Sequence, residues 1–92
     1  MLLLDNFVNA LPDNFLDDGF SLSLRYNEAP ETGYMVSFAG FEKVLENPTI
    51  LDIEDYVQEN AEYLYNIPRA FVGGWLDADS GKYYLDISQN IQ

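Results

Sequence analysis

The stretch that decides the fold of this chain is AFVGGWLDADSGKYYLDIS, residues 70–88. Its two ends, residues 70–76 and 82–88, are rich in aromatic and β-branched side chains, which favours strands. The loop between them, residues 77–81, ends in glycine, as the loops of β-hairpins often do. The stretch therefore predicts an antiparallel hairpin.

Alternation along the second strand of this hairpin assigns its side chains to two faces of a sheet. The residues expected to face the core are Tyr83, Leu85 and Ile87. The residues expected to face outward are Tyr84, Asp86 and Ser88. In the first strand, the pair Gly73-Gly74 predicts either a bulge or a close approach of another chain segment.

An amphipathic helix is predicted before the hairpin, from about Ile50 to Asn66. Thr49 is a suitable N-cap, and Asp52 three residues later makes an imperfect capping box. Pro68 ends the helical region. The apolar positions form one stripe that is expected to face the core. They are Ile53, Tyr56, Val57, Ala61 and Leu64.

The first half of the chain supplies shorter patterns. Helical spacing over residues 2–11, stopped by Pro12, predicts an N-terminal helix, and turns follow it. Strict alternation predicts a strand over Phe20–Tyr26, paired as a hairpin with a second strand over Tyr34–Ala39. Residues 40–48 have helical spacing, but Pro48 leaves room only for a short turn.

The predicted order of elements, α-β-β-α-β-β, indicates an α+β fold. We expect a four-stranded, mostly antiparallel sheet packed against one main amphipathic helix and a short N-terminal helix. The chain of 92 residues is expected to form a single domain, 1–92. Hydrophobic residues make up 48% of it and aromatic residues 15%, which favours a packed core over acidic disorder.

The charge of the chain is strongly negative, with 16 Asp and Glu against four Lys and Arg and a formal net charge of -12. Such a charge repels nucleic acid and anionic lipid, so neither is expected as a direct partner. It favours a basic surface on another protein. The alternative is that the acidity keeps a small, aromatic-rich protein in solution.

Composition also bears on the compartment and on membranes. The chain has no cysteine, which favours a reducing compartment, and a cytoplasmic location is expected. Its first residues lack the cationic region of a signal peptide. No apolar run reaches the roughly 18 residues of a membrane span.

Ordinary catalytic and metal sites are excluded by residue type. Without histidine and cysteine, the chain has no Ser-His-Asp triad, Cys-His pair, imidazole site or thiolate site. The segment from Asp77 superficially resembles a calcium loop, but its fifth, sixth and twelfth positions are Gly81, Lys82 and Ser88. We therefore expect no enzymatic activity, no cofactor and no metal site, with a carboxylate-based enzyme or a calcium binder as a remote third alternative.

Acidic residues of the main helix are the first candidates for partner binding. Asp55, Glu59 and Glu62 follow i, i+4, i+7 spacing, which places successive carboxylates about 5–6 Å apart on one face. Phosphates along a nucleic-acid strand are spaced by a similar order, so this face is able to occupy a basic groove built for nucleic acid. Glu54, Asp77 and Asp79 complete the predicted contact set. A solvated helix face is the competing interpretation.

A second class of function rests on the aromatic residues. Tyr63, Tyr65 and Tyr84 are predicted to point outward, where tyrosine side chains favour protein contacts. The alternative function is therefore a structural or accessory module, a homo-oligomer or scaffold protein assembled through exposed aromatic side chains and an edge strand. In that case the acidity serves solubility.

The hairpin stretch, read as Gly73-Gly74-Trp75-x-Asp77 followed by Gly81-Lys82-x-Tyr84-Leu85-Asp86-Ile87-Ser88, is similar to a pattern in small acidic proteins of phages and mobile elements. The resemblance covers roughly the last 60 residues. The resemblance implies a product of a phage or mobile element. Small acidic proteins in that setting often inhibit nucleic-acid-binding proteins of the host, some by mimicking DNA, so we expect an inhibitor that blocks the nucleic-acid-binding site of a host defence protein. Anti-CRISPR and anti-restriction proteins are the expected classes.

Overall fold

The structure is a computed structural model that describes residues 4–92. Its helices are α1 (Leu4–Ala10), α2 (Phe15–Asp18), α3 (Ile50–Glu59) and α4 (Ala61–Asn66). Its strands are β1 (Phe20–Leu22), β2 (Tyr34–Ser37), β3 (Lys43–Leu45), β4 (Ala70–Leu76) and β5 (Tyr83–Ile91). The α+β class predicted from the sequence is confirmed. The predicted start of α1, residues 2 and 3, lies outside the described residues.

The predicted C-terminal hairpin is confirmed, and it forms the centre of the sheet. β4 and β5 pair antiparallel from Ala70 opposite Gln89 to Leu76 opposite Tyr83. The strand order is β1-β4-β5-β2, and β3 also pairs with β5. All four strand pairs described are antiparallel. Each of the other strands therefore depends on this hairpin for its partner.

Residues 40–48 contain a strand, so the expectation of a short turn there was wrong. β2 pairs with residues 88–91 of β5, and β3 pairs with residues 83–85 of the same edge. Directly after β2, the Phe38 N–H donates to the Ile87 carbonyl at 2.9 Å. The chain then leaves the edge of β5 and returns to it as β3. The sheet thus has five strands instead of four, two of them sharing one edge. A strand of three residues is too short for its period to be distinguished from a helical one.

The predicted hairpin between the first two strands was also wrong. β1 pairs with β4, from Phe20 opposite Gly74 to Leu22 opposite Val72. β1 ends at Leu22 because the chain then turns, and the Asn27 N–H donates to the Ser23 carbonyl at 2.8 Å. Leu24 is buried inside this turn, so the apolar alternation continues in the sequence after the strand has ended.

The predicted long helix is divided at Asn60 into α3 and α4. The Asn60 side-chain amide donates to the Tyr56 carbonyl at 2.8 Å, and its backbone leaves the helical region with φ -110° and ψ 11°. An asparagine side chain competes in this way with regular helical hydrogen bonds. The predicted N-terminus is confirmed, since the Asp52 carboxylate accepts from the Thr49 N–H at 2.8 Å.

The core lies between one face of the sheet and the helices. All five residues of the predicted helical stripe are buried in it, together with the predicted inward residues of β5. Two buried tyrosines hydrogen-bond to backbone carbonyls at the margins of the core. The Tyr83 hydroxyl donates to the Phe15 carbonyl at 2.5 Å, and the Tyr56 hydroxyl donates to the Phe41 carbonyl at 2.6 Å. Burial raises the pKa of Tyr83 from 10.0 to about 12.

The glycine pair of β4 marks a close approach, and the register across it is regular. A Cβ atom at Gly74 would lie 2.5 Å from Phe20 Cε1 and 2.7 Å from the Tyr83 hydroxyl, on the core side. A Cβ atom at Gly73 would lie 2.5 Å from Asp86 Oδ1 on the opposite side. Only at Gly74 do two aromatic rings close the space for a side chain, that of Tyr83 in the hairpin and that of Phe20 in β1.

We predict that Gly74→Ala lowers the free energy of unfolding by about 1–3 kcal/mol, since the new methyl group overpacks the core. Gly73→Ala is the matched control, because the end of the Asp86 side chain can move aside. Urea unfolding followed by circular dichroism compares the two variants. Equal destabilisation by both would contradict the difference in packing between the two faces.

We predict that the protein loses stability as the pH rises from about 10 to about 12. The pKa of Tyr83 is raised by burial, so its stabilising contribution is complete below pH 10 and disappears as the pH passes through its folded value. Tyr83→Phe should cost about 1 kcal/mol at pH 8, because a hydrogen bond is lost. It should reduce but not remove the alkaline decline, because the pKa of buried Tyr56 is also raised. Urea midpoints between pH 8 and 12 measure both effects. Tyr34→Phe, at an exposed tyrosine, serves as the control and should leave the alkaline decline unchanged.

Candidate functional site

The acidic residues predicted for partner binding do not share one straight helix. Asp55 and Glu59 are exposed and lie one turn apart on α3, as predicted. Glu62 is exposed but lies on α4, beyond the break at Asn60. Glu54 is only half-exposed. The prediction that the three carboxylates lie on a single helix was therefore wrong, because Asn60 separates Glu59 on α3 from Glu62 on α4.

The remaining two predicted residues lie in the β4–β5 turn. The Asp77 carboxylate accepts from the Asp79 N–H at 3.2 Å and from the Ser80 hydroxyl at 2.9 Å. Its backbone N–H donates to the Lys82 carbonyl at 2.9 Å. Asp77 thus shapes the hairpin turn, whereas the Asp79 side chain is exposed. Among residues 4–92 no group of three or more potential ligands is placed to hold a metal ion.

The topology separates the predicted residues into two regions. β3 ends at Leu45 opposite Tyr83, beside the β4–β5 turn, and α3 begins five residues later. α4 ends close to the start of β4, at the other end of the sheet. Glu59 and Glu62 consequently lie towards the end opposite the turn that carries Asp79. The six residues are carried by three parts of the fold: α3, α4 and the β4–β5 turn.

The turn end of the sheet gathers acids that the sequence pattern left apart. α2 packs against β4, and a Cβ atom at Gly19 would lie 2.6 Å from the Gly74 carbonyl oxygen. Asp17 and Asp18 are thereby placed near the end of β4 and the turn that follows it. Glu46 follows β3 at the same end. Glu46 had no distinguishing sequence signal, because its neighbourhood depends on the unexpected strand β3.

Most of the negative charge reaches solvent. Eleven of the fifteen acidic side chains whose burial is described are exposed, and the other four are half-exposed. The exposed ones are Asp13, Asp17, Asp18, Glu28, Glu31, Glu42, Glu46, Asp55, Glu59, Glu62 and Asp79. They occur on helices, in loops and in the turn, so the charge is a property of most of the surface.

The face of the sheet away from the helices carries an aromatic cluster that sequence reasoning missed in part. Trp75 lies opposite Tyr84, and their rings stack with centroids 4.5 Å apart and planes 13° apart. Val44 of β3 lies opposite Tyr84 on its other side. Trp75 is 48% exposed and Val44 46%. We call Val44, Trp75 and Tyr84 the aromatic face.

The outward position predicted for Tyr84 is thus confirmed, but Trp75 was not singled out. The sequence feature that could have identified Trp75 is the length of the hairpin loop, because the loop fixes the register that brings the two rings together. Of the other tyrosines predicted outward, Tyr63 is 53% exposed and packs edge-on against Phe41, whereas Tyr65 is half-buried.

Polar side chains border the aromatic face along β5. The Ser37 hydroxyl donates to Asp86 Oδ2 at 3.0 Å, and it also lies 3.2 Å from the Ser88 hydroxyl. Asp86 is half-exposed, as its predicted outward position requires. Ser88, also predicted outward, is only 6% exposed. Ser88 lies between Ser37 of β2 and Phe71 of β4.

The other half of the same face is covered by the chain itself. The Asn90 side-chain amide donates to the Thr32 carbonyl at 2.9 Å, which holds the loop of residues 27–33 against β5. A shallow open groove of about 240 Å³ remains there, bordered among others by Glu28, Glu31, Arg69 and Phe71. Among residues 4–92, the loop therefore covers one half of this side of the sheet and leaves the aromatic face exposed.

Comparison with known proteins adds no relative. No family model matches the chain, and no curated protein and no solved structure gives a significant match. Within residues 4–92, every helix is too short or too polar to cross a membrane.

Proposed function

We propose that this protein is a small acidic domain that binds other proteins and occupies a basic, nucleic-acid-binding surface of its partner. The observation that carries the proposal is the exposed negative charge: eleven of the fifteen described acidic side chains face solvent, against four Lys and Arg in the chain. Repulsion among these charges costs folding stability. Binding to a basic surface relieves this repulsion, and the relief contributes to the free energy of binding.

The positions of the acidic residues in the folded protein support this proposal. Asp55 and Glu59 are carried by a helix whose apolar stripe is buried, so their backbone positions are fixed before binding. Fixed carboxylates lose little conformational freedom when they meet a basic groove. A net charge of -12 also accelerates the approach of a cationic surface and repels competing nucleic acid.

We propose a partner class from the chemistry of the charged surface and from the expected relation to phage and mobile-element proteins. Surfaces that bind nucleic acid are arrays of Lys and Arg spaced to meet phosphates. We propose that the protein acts in the cytoplasm of a host cell as an inhibitor of a defence protein, such as a CRISPR effector or a restriction enzyme. It performs this role by occupancy, without catalysis and without a cofactor.

A second candidate function, a homo-oligomeric or scaffold module, is favoured by a different observation. β2 lies at an edge of the sheet and carries Tyr34, 64% exposed, and Val36, 47% exposed. Exposed apolar side chains on an edge strand are a template for pairing with another chain. Analytical ultracentrifugation distinguishes the two functions, because assembly through β2 produces an oligomer without any basic partner.

We predict that the protein competes with labelled duplex DNA for binding to at least one member of a panel of CRISPR effectors and restriction enzymes. Fluorescence polarisation measures the competition between 50 and 200 mM NaCl. Binding through several charge pairs should weaken by about tenfold or more over that range. The combined variant Asp55→Lys, Glu59→Lys, Glu62→Lys should abolish competition.

The matched control is Asp13→Lys, Glu28→Lys, Glu31→Lys, which changes the net charge equally at exposed residues outside α3 and α4. If both triple variants lose competition to the same extent, net charge and not the face of α3 and α4 governs binding. Competition that persists at high salt and in both variants would sink the proposal of electrostatic occupancy.

A further inference from the structure

We infer that the aromatic face, together with Asp86, is the docking site for an arginine side chain of the basic partner. The inference rests on the proposed function, which supplies a cationic protein as the partner. It assigns a specific contact to a side of the molecule away from the helices, where none of the predicted acids of α3 and α4 lies.

The first support is the combination of exposure and order in the aromatic face. Cross-strand pairing and stacking hold Trp75 against Tyr84, while about half of the tryptophan surface is open to solvent. Val44 extends the apolar surface on the far side of the tyrosine. Aromatic side chains already held in place give contact area with little loss of conformational freedom.

The second support is the negative charge that borders this apolar surface. Asp86 lies two residues from Tyr84 on the same side of β5, and the Ser37 hydroxyl fixes one of its carboxylate oxygens. Glu42 directly precedes β3 and is exposed.

The lysines near the aromatic face lie outside its middle. Lys43 lies opposite Leu85, on the side of the sheet that faces the helices. Lys82 is exposed directly before β5, in the segment that connects it to the turn. The middle of the face, from Trp75 to Asp86, therefore combines aromatic rings with a carboxylate, and the nearest lysine is at its end.

Arginine fits this combination better than other occupants. Its planar guanidinium stacks on an aromatic ring and forms directional hydrogen bonds with a carboxylate, whereas lysine offers a compact, strongly hydrated charge. A nucleobase would also stack, but its phosphates would meet a protein of charge -12. A second copy of the chain would bring Asp86 against Asp86, at a cost in repulsion and desolvation.

Trp75 is the only tryptophan of the chain, so its fluorescence reports on this face alone. The experiment titrates the protein with nona-arginine and with nona-lysine peptides at 50 mM NaCl. Both should bind because both carry the same positive charge. Nona-arginine should bind about fivefold more tightly and should change the Trp75 emission, as stacking on an exposed ring predicts.

Two variants that retain the reporter test the named contacts. Tyr84→Leu removes the stacked partner and Asp86→Asn removes the carboxylate charge, and each should reduce the preference for nona-arginine to near unity. The matched controls are Tyr34→Leu, at an exposed tyrosine of the edge strand, and Asp79→Asn, at an exposed acid of the turn. Both controls should keep the preference. Urea midpoints identify any variant whose fold is weakened.

The outcomes separate this inference from the proposed function. Equal binding of both peptides, with no change in Trp75 emission, overturns the arginine site and leaves a basic partner in place. Binding of neither peptide overturns both. A Trp75 emission that shifts with protein concentration alone, with dimers in the ultracentrifuge, shows that a second copy covers the face and likewise overturns the arginine site.

Discussion

The pairing of β4 with β5 is the interaction on which the rest of the structure depends. β1 is hydrogen-bonded to one side of this hairpin, and β2 and β3 to the other. The close contact at Gly74, where Phe20 and the Tyr83 hydroxyl leave no room for a side chain, joins β1 to the hairpin and brings α2 within reach of the Tyr83 hydrogen bond. The same pairing places Trp75 beside Tyr84 on the other face. One register therefore fixes both the packing of the core and the composition of the exposed side.

Sequence patterns were informative where one period extended over many residues. The helical stripe from Ile53 to Leu64 and the alternation from Tyr83 to Ile87 each predicted buried side chains correctly. The sequence patterns failed where the structure of a short segment depends on its pairing or packing with residues distant in the chain. β3 is a strand because β5 offers it an edge, and β1 ends after Leu22 although Leu24 continues the apolar alternation. Strand partners were the least predictable feature, because pairing is decided by the whole sheet and not by neighbours in the chain.

The candidate sites show the same division. Composition alone indicated an acidic surface, and most of the acidic side chains are indeed exposed. The arrangement of those acids needed the fold, since one asparagine divides the helix between Glu59 and Glu62, and the topology gathers Asp17, Glu46 and Asp79 at the turn end. The aromatic face needed the register of three strands. Residue types thus set the chemistry of the surface, while non-local pairing decided which groups act together.

The place of β5 in the chain has a consequence for synthesis on the ribosome. This strand bonds to three others, yet its residues, 83–91, are translated after all of them. Until it emerges, the edges of β2, β3 and β4 lack the strand that pairs with them, and a sheet built from such distant contacts forms slowly. Nascent chains in that state are prone to aggregate. The acids spread from Asp5 to Asp79 are already present on the waiting chain, where their mutual repulsion keeps unfinished copies apart.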